Sequence, residues 1–197
     1  LLKRYSADVS GMSRLPSGVV RPRDVKDVID AVHEAAGQGK TLLPIGAQTS
    51  TTGASVATDG GLVLDLNRLT DPPELNADQT HVHVSPGMKL GQLHAWLHIR
   101  DLELPVDPTS SADCTVGGAI ATNASGPSTF RFGAMDQWVA AVDFIDGQGN
   151  RQHAARRKVD KFAMGPAALA DPVRLIVGSE GIFGAIVTAQ LRVIPRP

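Results

Sequence analysis

Glycine in short clusters between apolar runs is the feature that most constrains this chain. Twenty of its 197 residues are glycine, placed at Gly46, Gly53, Gly60–Gly61, Gly117–Gly118, Gly126, Gly178, Gly181 and Gly184 among others. They follow neither a collagen period nor a linker composition. Such spacing calls for tight turns, or for backbone that approaches a ligand closely. Plain turns account for Gly60, Gly147 and Gly149. Three longer clusters ask for more.

Around the glycines the composition is that of an ordinary globular protein, 42% hydrophobic and 20% charged, and the chain is long enough to bury a sizeable core. Nineteen Lys and Arg against 20 Asp and Glu give no reason to expect nucleic acid or an acidic surface as partner. The single cysteine, Cys114, excludes an internal disulfide and a multi-cysteine metal cluster within the chain. No stretch has the length of a membrane span. The opening LLKRYSADVSG has neither methionine nor a signal segment; a fragment of a longer protein or a processed chain would both look like this. The residues leave the compartment open, with the cytoplasm or a membrane periphery expected.

Hydrophobic periodicity predicts an N-terminal surface segment over 1–18 and two lobes, 19–75 and 76–197. The first lobe reads as a short strand at Val19-Val20 and a helix over 24–37. Asp24 caps that helix, and Val25, Val28, Ile29, Val32 and Ala36 recur at helical spacing. Gly37 and Gly39 stop it. A buried strand at Thr41–Ile45 and another at Leu62–Leu66 follow. The second lobe reads as a strand at Thr80–Val84, a helix over 88–98 with Leu90, Leu93 and Leu97 on one side, and a small-residue helix over 116–124. A strand at Trp138–Ile145, a hairpin turn at Asp146–Asn150 and a last strand at Ile186–Ile194 complete it. Residues 151–172 read as basic, then alanine-rich, then turn-like. The fold class is α+β, two small mixed α/β lobes.

Three loops carry candidate chemistry. Pro44-Ile45-Gly46-Ala47-Gln48-Thr49-Ser50-Thr51-Thr52-Gly53 follows a strand and offers successive amides with small side chains. Such a nest can surround a diphosphate without a lysine. It matches neither the Walker loop nor the G-x-G-x-x-G fingerprint, and a plain polar loop is the competing reading. In the second, Asp107-Pro108-Thr109 stands before Cys114 to Pro127. There Gly117-Gly118 lets a flat ligand lie on the backbone, and the helix N-terminus favours negative charge. Asn123 either meets the ligand or caps a neighbouring turn. The third, Gly178-Ser179-Glu180-Gly181-Ile182-Phe183-Gly184, is weak by composition alone. His94 and His98 have the i,i+4 spacing of metal ligands, but Leu93 and Leu97 own the buried stripe, so no metal site is assigned. The basic run Arg151–Lys161 reads as a solvated face.

Together these segments resemble, in order over residues 19–197, the FAD-binding (PCMH-type) domain of the vanillyl-alcohol oxidase and p-cresol methylhydroxylase superfamily. The branch they are most similar to holds the glycolate oxidase flavoprotein subunit and the D-lactate and D-2-hydroxyglutarate dehydrogenases. The resemblance is carried by Arg21-Pro22, Pro44-x-Gly46-x-x-Thr49-Ser50-x-x-Gly53, Leu64-Asp65-Leu66-Asn67-Arg68, Val84-x-Pro86-Gly87 and Asp107-Pro108-Thr109. It continues through Cys114-Thr115-Val116-Gly117-Gly118-x-x-Ala121-Thr122-Asn123-Ala124-x-Gly126, Phe132-Gly133 and Gly178-Ser179-Glu180-Gly181-x-x-Gly184.

The resemblance implies a PCMH-type fold with the flavin between the two lobes. It places Gly46, Ala47, Gln48, Thr49, Ser50 and Gly53 at the FAD diphosphate and Pro44 beside the adenine. Pro108, Thr109, Gly117 and Gly118 would run along the isoalloxazine and ribityl portions, with Thr122, Asn123, Ser125 and Gly133 nearby. Glu180 and Gly181, with the backbone of Ile186 and Val187, would sit at the adenosine end. The first loop lacks the histidine that some relatives bond to the flavin, so the FAD is expected to be non-covalent. Cys114 fits the pattern of the non-covalent branch. The Gly-Tyr pair usual in that branch is absent from Phe162–Asp171.

The implied reaction oxidises a 2-hydroxy acid to a 2-oxo acid, with hydride passing to flavin N5. The implied electron acceptor is a quinone, a cytochrome or an iron–sulfur protein. The small-molecule substrate would be bound mainly by a cap domain that this chain lacks, so no catalytic residue is assigned. An alkylglycerone-phosphate synthase-like enzyme, a sugar or lactone oxidase-like enzyme, and a non-catalytic nucleotide-binding module remain alternatives.

Overall fold

The computed structural model describes residues 2–156 and 171–196. Helix α1 (Val25–Gly37) starts where the sequence predicts. The Asp24 carboxylate accepts from the Asp27 amide at 2.8 Å, and Gly39 follows the helix at φ +62°. Its buried face is Val28, Ala31, Val32 and Ala35, whereas Ala36 is exposed. The helix is therefore rotated slightly from the predicted stripe. Asp24→Ala removes an exposed N-cap and is expected to cost about 1 kcal/mol, read as a lower urea midpoint at unchanged slope.

The first sheet holds β1 (Gly18–Val20), β2 (Leu42–Ile45) and β3 (Leu62–Asp65), all parallel in the order β1-β3-β2. Because β2 is an edge strand, only its Ile45 is fully buried, where the sequence predicts a buried strand. The second sheet holds β4 (Glu74–Leu75), β5 (His81–Val84), β7 (Val139–Ile145), β8 (Arg151–Ala155) and β9 (Ala185–Arg192). It is antiparallel in the order β4-β5-β9-β7-β8, so the last of these strands in sequence lies at its centre. A small ribbon pairs β6 (Leu102–Glu103) with β10 (Ile194–Pro195).

Against the second sheet pack α2 (Leu90–His98) and α3 (Val116–Ala121), followed in sequence by two short helices, α4 (Thr129–Phe132) and α5 (Pro172–Ile176). Leu90, Leu93 and Leu97 of α2 are fully buried with Val82, Val139 and Leu191, as their spacing predicts. A second cluster sets α1 against both sheets, joining Val28 and Val32 to Leu64 of β3, Ile145 of β7 and Val187 of β9. The two sheets thus share one helix, and apolar burial at about 25 cal/mol per Å² ties them together.

Two expectations change. The N-terminal segment does not lie wholly on the surface: Tyr5 is only 2% exposed and packs with Ile45, Ala57 and Val63. Nor is the basic run uniformly solvated. Arg156 is half-buried and pairs with Asp171 at 2.7 Å, while Arg151 and His153 both bind Asp143. Asp171 also caps α5, where the sequence reads as turn. Arg157, Lys158, Lys161 and residues 162–170 lie outside the described residues.

Candidate functional site

Three loops converge where the two sheets meet. Loop 46–53 leaves the end of β2, the start of α3 follows the turn at Pro86-Gly87 in space, and loop 178–184 enters β9. Between them lies a cleft of about 460 Å³, counting its open mouth. Of the residues singled out in the sequence, Pro44, Gly46, Gly117, Gly118, Gly181 and Ile186 line it. A second hollow, beside α1, shares Pro44, Gly181 and Gly184 with this cleft, so the two are neighbours.

The walls are close because two glycines permit it. A Cβ on Gly46 would collide with the Thr115 hydroxyl, and one on Gly117 would stand 2.7 Å from Pro86 Cβ and 3.1 Å from its carbonyl oxygen. Loop and helix therefore touch backbone to side chain, and the cleft beside them is a narrow slot.

Loop 46–53 meets the cleft at Gly46, while Ala47, Gln48, Thr49, Ser50 and Gly53, like Glu180, are not in its lining. The amides of Ala47, Gln48, Thr49, Ser50 and Thr51 donate to no protein group among the described residues. Successive free amides in a short loop are what an oxyanion or diphosphate requires. The loop is tied down from outside: Asn67 Nδ2 donates to the Gly46 carbonyl at 2.7 Å, and Thr52 Oγ1 donates to Glu180 Oε1 at 2.9 Å, joining the first and third loops. Gln48 (φ 58°), Asn123 (φ 48°) and Glu180 (φ 54°) all hold left-handed backbone, which costs a non-glycine residue about 1–2 kcal/mol. Each of the three candidate loops stores such strain.

The second loop behaves otherwise than predicted. The first amides of α3 are not free: Val116 donates to Met88 O, Gly117 to Pro86 O and Gly118 to the Thr115 hydroxyl. The start of α3 is a wall rather than an anion site. Asn123 Oδ1 accepts from the Asp136 amide and so caps the turn at Met135–Gln137, and Thr122 Oγ1 donates back to Gly118 O. Pro108, Thr109, Thr122, Asn123, Ser125 and Gly133 do not line the cleft. Asp107 holds that region together by accepting from Ser128 N and Oγ. Val187 alternates away from Ile186 and is buried against α1. Ile45, Leu66, Pro86, Thr115, Ala121, Ser179 and Gly184, which the sequence marks only as parts of motifs, and Ile176, which it does not mark, complete the lining.

Behind loop 46–53 sits a buried carboxylate. Asp65, 2% exposed, accepts from Tyr5 OH at 2.7 Å and from Asn67 Nδ2 at 2.6 Å, and pairs with Arg21 at 3.4 Å. Burial alone would raise its pKa; the hydrogen bonds from Tyr5 and Asn67 and the charge of Arg21 outweigh that and hold it below the usual carboxylate value. Cys114 is buried, and burial pushes its thiol up, away from the reactive thiolate. His94 and His98 stack at 6.3 Å, and burial, then the neighbouring His98, lowers His94. No group of three or more metal-ligating side chains occurs among the described residues, and no described helix is long and apolar enough to cross a membrane.

The chain is similar to known proteins over most of its length. The pattern describing the FAD binding domain family matches residues 16–155. A D-2-hydroxyglutarate dehydrogenase of Xanthomonas citri pv. viticola is 35% identical over 92% of this chain and 38% of its own length. Glycolate oxidase subunit GlcD of Bacillus subtilis is 26% identical over 98% of this chain and 40% of its own. The chain thus spans about two fifths of such relatives. A solved alkyldihydroxyacetonephosphate synthase shares the fold, with a TM-score of 0.75 at 22% identity over 90% of this chain and 34% of that one.

Proposed function

The chain belongs to the FAD binding domain family, and from that premise we propose that it holds FAD non-covalently for an oxidoreductase that converts a 2-hydroxy acid to a 2-oxo acid. The observation that carries the FAD site is the run of free amides from Ala47 to Thr51, which continues directly from Gly46 in the wall of a narrow, glycine-lined cleft. The site's residues fit the cofactor: the loop amides suit a diphosphate, and the slot beside Gly117 suits a planar ring. Gly46, Gln48, Thr49, Ser50 and Gly53 shape the diphosphate loop. Pro44, Gly181 and Ile186 form the wall towards the second hollow, on the adenosine side, with Glu180 and the backbone of Val187 behind it. Pro108, Thr109, Thr122, Asn123, Ser125 and Gly133 support the far side of α3 rather than the cleft lining.

When bound, the flavin supplies a two-electron acceptor for the hydride on the carbon that bears the hydroxyl. This chain's residues bind and orient, and they wall the slot against water. The base and the carboxylate anchor are assigned to parts of the protein outside this chain, as is any contact with an electron acceptor. The dehydrogenase and oxidase names of the relatives support the 2-hydroxy-acid reading. The buried Cys114 and a first loop without histidine support non-covalent binding.

The test is an absorbance spectrum of the full-length protein after incubation with FAD and removal of the excess. A retained flavin band, released on denaturation and bleached anaerobically by a 2-hydroxy acid, is the expected result. A folded protein that retains no flavin overturns the assignment, and a band that survives denaturation on the protein overturns the non-covalent part.

A further inference from the structure

The family match begins at residue 16, yet the segment before it reaches the diphosphate loop at three points. Tyr5 donates to Asp65 Oδ2 at 2.7 Å, and Asp65 Oδ1 takes one hydrogen of the Asn67 amide at 2.6 Å. The other hydrogen goes to the Gly46 carbonyl at 2.7 Å. Further along, the Val9 amide donates to the Ser50 carbonyl at 3.1 Å, and Gln48 Nε2 donates to the Ala7 carbonyl at 2.9 Å. Each bond fixes more than a distance. A trans peptide is planar, with its C=O and N–H opposed. Pinning the Gly46 carbonyl on Asn67 turns the Ala47 N–H away from the buried carboxylate. Pinning the Ser50 carbonyl on Val9 does the same for Thr51. These two amides bound the run that lacks protein acceptors.

We propose that Tyr5, acting through Asp65 and Asn67, and the 7–9 segment are positioning elements that orient the loop amides for the FAD diphosphate. The 7–9 segment touches the loop directly and Tyr5 reaches it only through Asp65 and Asn67; none of them lines the cleft. This rests on the FAD reading above. Pre-aimed amides bind an anion without first reorganising, so loosening them weakens binding of the diphosphate and leaves the flavin ring's surroundings alone. Tyr5→Phe keeps the buried ring and removes the hydroxyl. Val9→Pro removes the amide donor at an exposed residue outside the Tyr5–Asp65–Asn67 hydrogen-bond chain.

The experiment measures FAD dissociation constants and 31P NMR spectra of bound FAD for the full-length wild type and both variants. The expected result is a dissociation constant raised about tenfold in each, as the loss of one hydrogen bond's worth of orientation predicts. The diphosphate 31P signals shift, while the visible flavin bands keep their positions. A purely structural role would lower stability without moving the phosphorus signals. Wild type that holds FAD, with both variants within twofold of it and their 31P spectra unchanged, overturns this inference alone. Wild type that holds no FAD overturns the functional reading, and the inference with it.

Discussion

Gly117→Val should yield a protein that no longer retains FAD and is less stable by about 1–3 kcal/mol, the usual cost of overpacking. Two effects oppose one another here. Gly117 lies in the first turn of α3, and replacing glycine in a helix gains up to about 1 kcal/mol of propensity. Against that, the new Cβ stands 2.7 Å from Pro86 Cβ and 3.1 Å from Pro86 O. These are atoms of a buried turn, not the far end of a flexible side chain. The turn cannot give way alone, because the Gly117 amide itself donates to Pro86 O and the neighbouring Gly87 amide donates to Leu69 O. The clash wins, and α3 must move into the slot. Urea unfolding of the apoprotein reads the first effect and flavin retention after desalting reads the second. A variant that binds FAD as the wild type does would show that the slot beside Gly117 is not the ring's place.

Asp65→Ala should cost more, about 2–4 kcal/mol, because it leaves several donors facing a hole. The Tyr5 hydroxyl is buried, and one hydrogen of the Asn67 side-chain amide and its backbone N–H also point at this carboxylate; a buried donor deprived of its acceptor costs about 1–3 kcal/mol. Arg21 is a third exposed, so water takes over much of its share. The loss has a pH signature. Burial opposes ionisation of Asp65, but its hydrogen bonds and Arg21 hold the folded-state pKa below the ordinary 3.8. The unfolded chain therefore takes up the proton first. The carboxylate's contribution is complete above the unfolded value and is lost as pH falls through the folded one. The stability difference between wild type and Asp65→Ala should be widest near neutrality and shrink below about pH 4. A difference that stayed constant down to pH 2–3 would mean that the carboxylate's charge is irrelevant there.

How far the sequence reveals this site depends on whether the relevant bonds are local. The Asp24 cap, the Leu90, Leu93 and Leu97 stripe and the three loops are local patterns, and the structure has them. The bonds of the Val116 and Gly117 amides are not legible, because their acceptors are backbone carbonyls of Met88 and Pro86, distant in the chain. Nothing in the residue type of Val116 or Gly117 betrays that partner. Asn123 was legible only as an alternative, ligand contact or cap, and the Asp136 amide makes it a cap. Ile186 and Val187 are adjacent in a strand, where successive side chains point to opposite faces, so one faces the cleft and the other α1. Tyr5 is a lone aromatic in a polar stretch. Its burial depends on Asp65, sixty residues on, and no periodicity announces a single anchor.

The position of β9 bears on how the protein is made. It is the central strand of the second sheet, yet β5 ends at Val84 and β9 begins only at Ala185. During synthesis at roughly 5–20 residues per second, β5 therefore waits about 5–20 s for its partner. Through that interval β5, and from its own synthesis onward β7, has a bare edge where β9 will sit, the kind of edge that recruits other chains. Pairings this far apart in sequence also form slowly once the strands are available. The nascent chain thus carries two unfinished half-sheets until β9 clears the ribosome, and this stage of biosynthesis, rather than the finished fold, is where a chaperone would have most to protect.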